Sequence, residues 1–143
     1  MKKLITLTIL LISAAALAQT PDSTKFISGT WKVSAESVDP LAAVQFEAIK
    51  KANPAMADQI NIETVKESIK GATYTYNGDG TYQFQMMGQQ DVGTWKLSDD
   101  KKSIVAMSKT TGRESIRIIV RSSKDKISLR LPSGVIVKYE PTK

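Results

Sequence analysis

The tetrapeptide Gly-Thr-Trp-Lys occurs twice, at Gly29–Lys32 and at Gly93–Lys96, each time opening a run that alternates apolar and polar residues. Alternation with a period of two sends successive side chains to opposite faces of a strand, so each copy starts a strand with one face for a core and one for water. From Ala72 onward this pattern dominates, broken at short intervals by Gly, Asn, Asp, Ser and Pro, the residues that tight turns require. Short strands at even spacing joined by hairpins predict an all-β meander whose best protection against edge-to-edge association is closure.

The 143 residues contain no cysteine and no histidine. Disulfides and thiol chemistry are therefore excluded, as are the usual zinc sites and the Ser-His and Cys-His catalytic pairs. A hard-cation site built from carboxylates is not excluded on composition. Its nearest candidates, Asp79 and the pair Asp99-Asp100, lie where turns call for such residues, and the turn reading is preferred. Tyr, Lys, Asp and Glu can act as acids and bases, but none are grouped at a defensible spacing, so no catalytic residue, metal or cofactor is assigned and no enzyme is expected.

The N-terminal segment has the form of a secretory signal: Lys2 and Lys3, an apolar core from Leu4 to Ile12, and small residues in Ala16-Leu17-Ala18. The core is shorter than the roughly 20 residues a spanning helix needs, and no cysteine follows it to carry a lipid. The expectation is cleavage after Ala18 and a soluble, exported protein, periplasmic or secreted, with one domain over residues 19–143 and no membrane span. Losing Lys2 and Lys3 takes the basic residues from 20 to 18 against 14 acidic ones, a formal charge of +4. Nucleic-acid binding would need basic residues clustered with aromatics on one face; here the lysines fall mostly in turns and on a helix face, so nucleic acid is not an expected partner.

The first strand is expected within Phe26 to Val38. Asp39-Pro40 then reads as a cap followed by proline at the first helical position, and a helical insert spans about residues 40–70. Its first piece runs from Pro40 to about Ala52, with Leu41, Val44, Ala48 and Ala52 beside Phe46 and Ile49 on the apolar stripe. Its second runs from Pro54 or from Asn61 to Lys70, before Gly71. Seven further strands follow: Tyr74 and Tyr76; Tyr82, Phe84 and Met86; Val92, Trp95 and Leu97; Ile104 to Met107; Ile116, Ile118 and Val120; Ile127, Leu129 and Leu131; and Val135 to Glu140. The predicted fold is mainly β, an eight-stranded antiparallel up-and-down barrel with the insert lying as a lid across one end, and a two-sheet sandwich as the alternative.

Phe26-Ile27-Ser28-Gly29-Thr30-Trp31-Lys32 resembles the Gly-x-Trp opening of the lipocalins and related calycins, and Gly78 to Phe84 followed by Gly93 to Leu97 is similar to small exported bacterial lipocalin-like domains. The resemblance implies that Gly29 and Trp31 form a structural plug at the closed end of the barrel. The intracellular fatty-acid-binding proteins also resemble this chain in placing two helices after the first strand. Their Arg-x-Tyr carboxylate pair would need arginine at Val137, and only Tyr139 carries over.

Placing the face of Trp31 inside gives a mostly apolar lining that includes Ile116 and Ile118, with Tyr74, Tyr76, Tyr82, Phe84, Met86, Trp95 and Tyr139 as candidate ligand contacts. Arg113, Arg117 and Arg121 then fall on the outer surface. Two functions fit: a carrier of a small hydrophobic ligand inside the barrel, or a solid-barrel envelope module that binds a protein partner through its surface. Ligand pockets are commonly apolar with a few oriented polar groups, yet the same tyrosines suit a filled core in which each hydroxyl bonds to backbone.

Overall fold

The computed structural model describes residues 26–143; the expected signal segment and cleavage point lie outside the described residues. Eight antiparallel strands close into an up-and-down barrel: β1 (Gly29–Val33), β2 (Thr73–Tyr76), β3 (Thr81–Met86), β4 (Gln89–Leu97), β5 (Ser103–Ser108), β6 (Glu114–Ser122), β7 (Ile127–Arg130) and β8 (Ile136–Pro141). Each strand pairs with its sequence neighbours, and β8 returns to β1 through Lys32 opposite Glu140 and Val33 opposite Tyr139. Closure rules out the two-sheet sandwich.

Helices α1 (Ala35–Ala52) and α2 (Ile62–Lys70) fill the connection from β1 to β2. Helix α1 begins five residues earlier than Asp39-Pro40 implied. The cause is the end of β1: past Val33 the strand would have to keep pairing with Lys138 of β8, and the chain instead turns into a helix that still satisfies that residue. Ser34 N–H donates to the Lys138 carbonyl at 2.9 Å, and Lys138 N–H donates to Ser37 Oγ at 2.9 Å. Pro40 consequently sits in the second turn, where it has no N–H to return to the Glu36 carbonyl. The buried stripe also rotates from the expected one. Val38, Leu41 and Ala42 are buried and Phe46 and Ile49 pack beside them, while Ala48 and Ala52 are exposed.

After a short 3-10 turn at Pro54–Met56, Asn61 starts α2 afresh, its side chain accepting from Glu63 N–H at 2.9 Å. That cap divides the insert into separate pieces. Val65 and Ile69 of α2 join Val38, Leu41 and Ala42 in one apolar cluster with Trp31, Val33, Ile127, Leu129, Val137 and Tyr139 of the barrel.

The two Gly-Thr-Trp-Lys copies lie in β1 and β4, and their indoles do parallel work. Trp31 Nε1 donates to the Ile27 carbonyl at 2.9 Å in the buried core, and Trp95 Nε1 donates to the Asn77 carbonyl at 2.8 Å, tying β4 to the first hairpin.

Strand β6 is turned over relative to the expectation. Its pairing with β5 sets Arg117 opposite Ile104 and Ser115 opposite Ala106, and Ile104 and Ala106 are buried in the barrel. Residues opposite one another in a ladder share a face, so Arg117 points inward. Ile116, Ile118 and Val120 point outward and remain 46%, 44% and 47% exposed, joined on that outer face by Met107 and Ile136. A bulge between Ile119 and Arg121 shifts the pairing with β7. The outward arginine strip is thereby corrected: Arg113 and Arg121 are exposed, whereas Arg117 is an interior residue.

Candidate functional site

A cavity of about 210 Å³ opens at the end of the barrel bounded by the β5–β6 hairpin. Tyr74 and Tyr76 of β2 and Tyr82 and Phe84 of β3 form one side; Asp91, Ser108 and Arg117 supply the polar groups, with Thr111, Arg113 and Glu114 at the hairpin. The helices contribute no residue to this wall; the insert packs onto the core cluster, and the expected lid is not part of this cavity.

Alternation along β2 and β3 brings Tyr74, Tyr76, Tyr82 and Phe84 to the interior together, in the register Tyr74 opposite Phe84 and Tyr76 opposite Tyr82. The Tyr74 and Phe84 rings lie 4.6 Å apart, tilted by 33°, and make the apolar wall. Tyr139 is buried behind it, edge-on to Tyr74 at 5.3 Å. Trp95 packs edge-on against Tyr76 at 5.3 Å. Of the seven contacts expected from sequence, four thus line the cavity, Tyr139 and Trp95 support lining residues from behind, and Met86 is a partly buried residue at the end of β3 that does not line it.

Two charged residues not expected there stand inside the cavity: Asp91, to which the sequence assigned no role, and Arg117, which it placed on the outer surface. Asp91 accepts from the Tyr82 hydroxyl at 2.6 Å and from Ser108 Oγ at 2.7 Å. Burial acts against its ionised form, but these hydrogen bonds outweigh it and hold the carboxyl below its ordinary value. Arg117 Nη1 donates to the Tyr76 hydroxyl at 3.1 Å, and its guanidinium lies over the Tyr74 ring, 4.9 Å from the centroid. Burial works against its charge too, yet the phenols of Tyr76, Tyr139 and Tyr74 around it shift it above the usual arginine value.

The Tyr82 phenol is pushed up to about 12, first by burial and then by its bond to Asp91, and burial raises Tyr74 and Tyr139 in the same direction. A raised folded-state value means stability complete below the ordinary 10.0 and lost as pH climbs from about 10 to about 12. The denaturant midpoint should fall across that window, and Tyr82→Phe should flatten part of the slope. A midpoint unchanged from neutral pH to pH ~12 would contradict the buried-phenol assignment.

A wider trough of about 530 Å³ runs outside the barrel past Gln83, Val92, Thr94, Met107 and Lys109. It lacks the converging interior polar groups of the smaller cavity. Among the described residues no group of three or more potential metal ligands converges. Asp79 and Asp100 serve their turns: Asp79 accepts from Thr81 N–H at 2.9 Å and Asp100 from Lys102 N–H at 3.0 Å.

A closed eight-stranded barrel with a helical insert and a small cavity lined by aromatic and polar side chains defines a barrel of the ligand-binding type. A family model described as lipocalin-like domain matches residues 27–129, and the chain belongs to that family. The crystal structure of a DUF4847 family protein from Bacteroides vulgatus has the same fold, with a TM-score of 0.53 at 14% sequence identity, covering 85% of this chain and 97% of that one. No curated protein matches the sequence. Among the described residues no helix is long and apolar enough to cross a membrane.

Proposed function

We propose that this protein is an exported, non-enzymatic carrier or scavenger that binds one small molecule in the cavity walled by Tyr74, Tyr76, Tyr82 and Phe84. The observation that carries the reading is the cavity itself: an apolar aromatic wall facing a few fixed polar groups, the composition of small-molecule sites. At about 210 Å³ it lies below the roughly 300–1,000 Å³ of sites for drug-sized ligands, so the occupant is small. The signal-like segment from Lys2 to Ala18 supports export.

Native mass spectrometry of protein purified gently from its own envelope fraction tests this. A stoichiometric small-molecule adduct is expected. Clean apo mass, together with no binding to a broad panel of small hydrophobic and amphipathic compounds, would count against a carrier.

The second reading, an envelope module acting through its surface, now draws on a different face. With Arg117 inside, the outer face of β6 offers Ile116, Ile118 and Val120 in place of an arginine strip. Partner recovery in pull-downs that is unchanged by Ile116→Lys/Ile118→Lys would argue against that face.

A further inference from the structure

We propose that the cavity selects small organic anions, the acid group seated on Arg117 and the Tyr76 hydroxyl and a flat apolar body lying against Tyr74 and Phe84. The proposal rests on the carrier reading and narrows its ligand class.

A guanidinium has five N–H donors and cannot deprotonate in a protein. Arg117 gives one to a neutral phenol, and among the described residues it forms no ion pair. A charge withdrawn from water is costly unless it is paired. The interior carboxylate of β4, Asp91, does not fill that role: its oxygens accept from the Tyr82 and Ser108 hydroxyls, and no ion pair joins it to Arg117 among the described residues. Inside the cavity stand a hydrogen-bonded anion and a cation whose remaining donors are open, with the exposed Arg113 and Glu114 at the hairpin beside them. A guanidinium presents its donors as a planar fork that fits a carboxylate at two points.

Geometry then orders the ligand. Tyr74 packs under the guanidinium and continues into the Phe84 ring, so a group held by Arg117 has an aromatic surface beside it. Asp91 repels a second negative charge, which limits the ligand to one acid group and favours a neutral end or a hydrogen-bond donor near Tyr82. The volume of about 210 Å³ equals that of about seven liquid water molecules at ~30 Å³ each, which suits a short or single-ring acid and excludes enclosure of a long acyl chain.

Calorimetric titration with benzoate, its neutral isostere benzamide, inorganic phosphate and hexadecanoate tests the class on the wild-type protein. Benzoate is expected to bind at least about tenfold more tightly than benzamide, since charge-assisted hydrogen bonds are the strong ones. Phosphate and hexadecanoate should be weaker than benzoate, the first for lack of an apolar body and the second for its length. Arg117→Met should erase the benzoate preference, Arg117→Lys should restore part of it, and Ile118→Thr on the outer face should leave it intact. Benzamide binding as well as benzoate, or a preference that survives Arg117→Met, overturns the anion assignment while leaving a carrier. Hexadecanoate binding tighter than benzoate overturns the size limit. No binding of these probes or of the broad panel overturns both the anion class and the carrier reading. The acid-to-amide ratio is read on the unmodified protein, so it decides the matter even where an Arg117 variant does not fold.

Discussion

Gly93→Ala is expected to destabilise the barrel by at least about 3 kcal/mol, at the upper end of overpacking costs. A Cβ at Gly93 would overlap the Met107 carbonyl oxygen on β5 and approach Tyr82 Cε1 to 2.7 Å. Gly93 pairs with Ser108 on one side and Tyr82 on the other, so the obstruction falls between two ladders. Backbone cannot retreat there without giving up hydrogen bonds, and a glycine inside a strand often marks such a close approach. The second Gly-Thr-Trp-Lys copy thus needs its glycine for space. Gly78→Ala is the control, because a Cβ there meets nothing within 4 Å. Urea unfolding measures both; a Gly93→Ala midpoint matching wild type at equal slope would refute the close approach.

Trp31→Ala should cost about 3–5 kcal/mol, the range for truncating a large buried aromatic. Trp31 is 3% exposed, sits in the cluster that joins barrel and helices, and carries the hydrogen bond to the Ile27 carbonyl. Removing it opens a cavity and leaves that buried carbonyl without its donor. Trp95→Ala should cost less, because Trp95 is only partly buried. The ranking is the test: equal or greater loss at Trp95 would show that the core is not anchored at Trp31.

The strands could be read from the sequence because the β segments obey period two and are separated by residues with strong turn chemistry, as at Asn77-Gly78-Asp79-Gly80. The insert was legible for similar reasons, with Asn61 and Gly71 as local signals at the ends of α2. The start of α1 was not legible. It depends on Lys138, about a hundred residues away, taking Ser34 and Ser37 as partners in place of a continued strand. The walls from Tyr74 to Phe84 were visible, since aromatic alternation holds there without interruption.

The charged half of the site was missed for two separate reasons. On β4, counting by twos back from Trp95 passes through Gly93 and reaches Asp91, but exposed Val92 drew attention to the opposite face. On β6, Ile116, Ile118 and Val120 made the apolar set look like the inner one, while Ile119 alone spoke for Arg117. Only the register with Ile104 and Ala106 decides between these, and that is a long-range fact. A hydrophobic pattern gives the direction that burial prefers, and here the pairing with β5, which turns Arg117 inward, overrides it.

The inverted β6 also bears on how the chain finds its fold. Sliding this strand by one residue would bury three β-branched side chains and release a charge to water, which is what hydrophobicity alone would choose. Against that slip stand the inward Ile119 opposite Leu129 and the bulge beside it, which belong to the native pairing. Any molecule that grips Arg117 recognises only the native pairing and deepens that basin by mass action. A carrier built in this way would be completed by its cargo during folding as well as loaded with it afterwards.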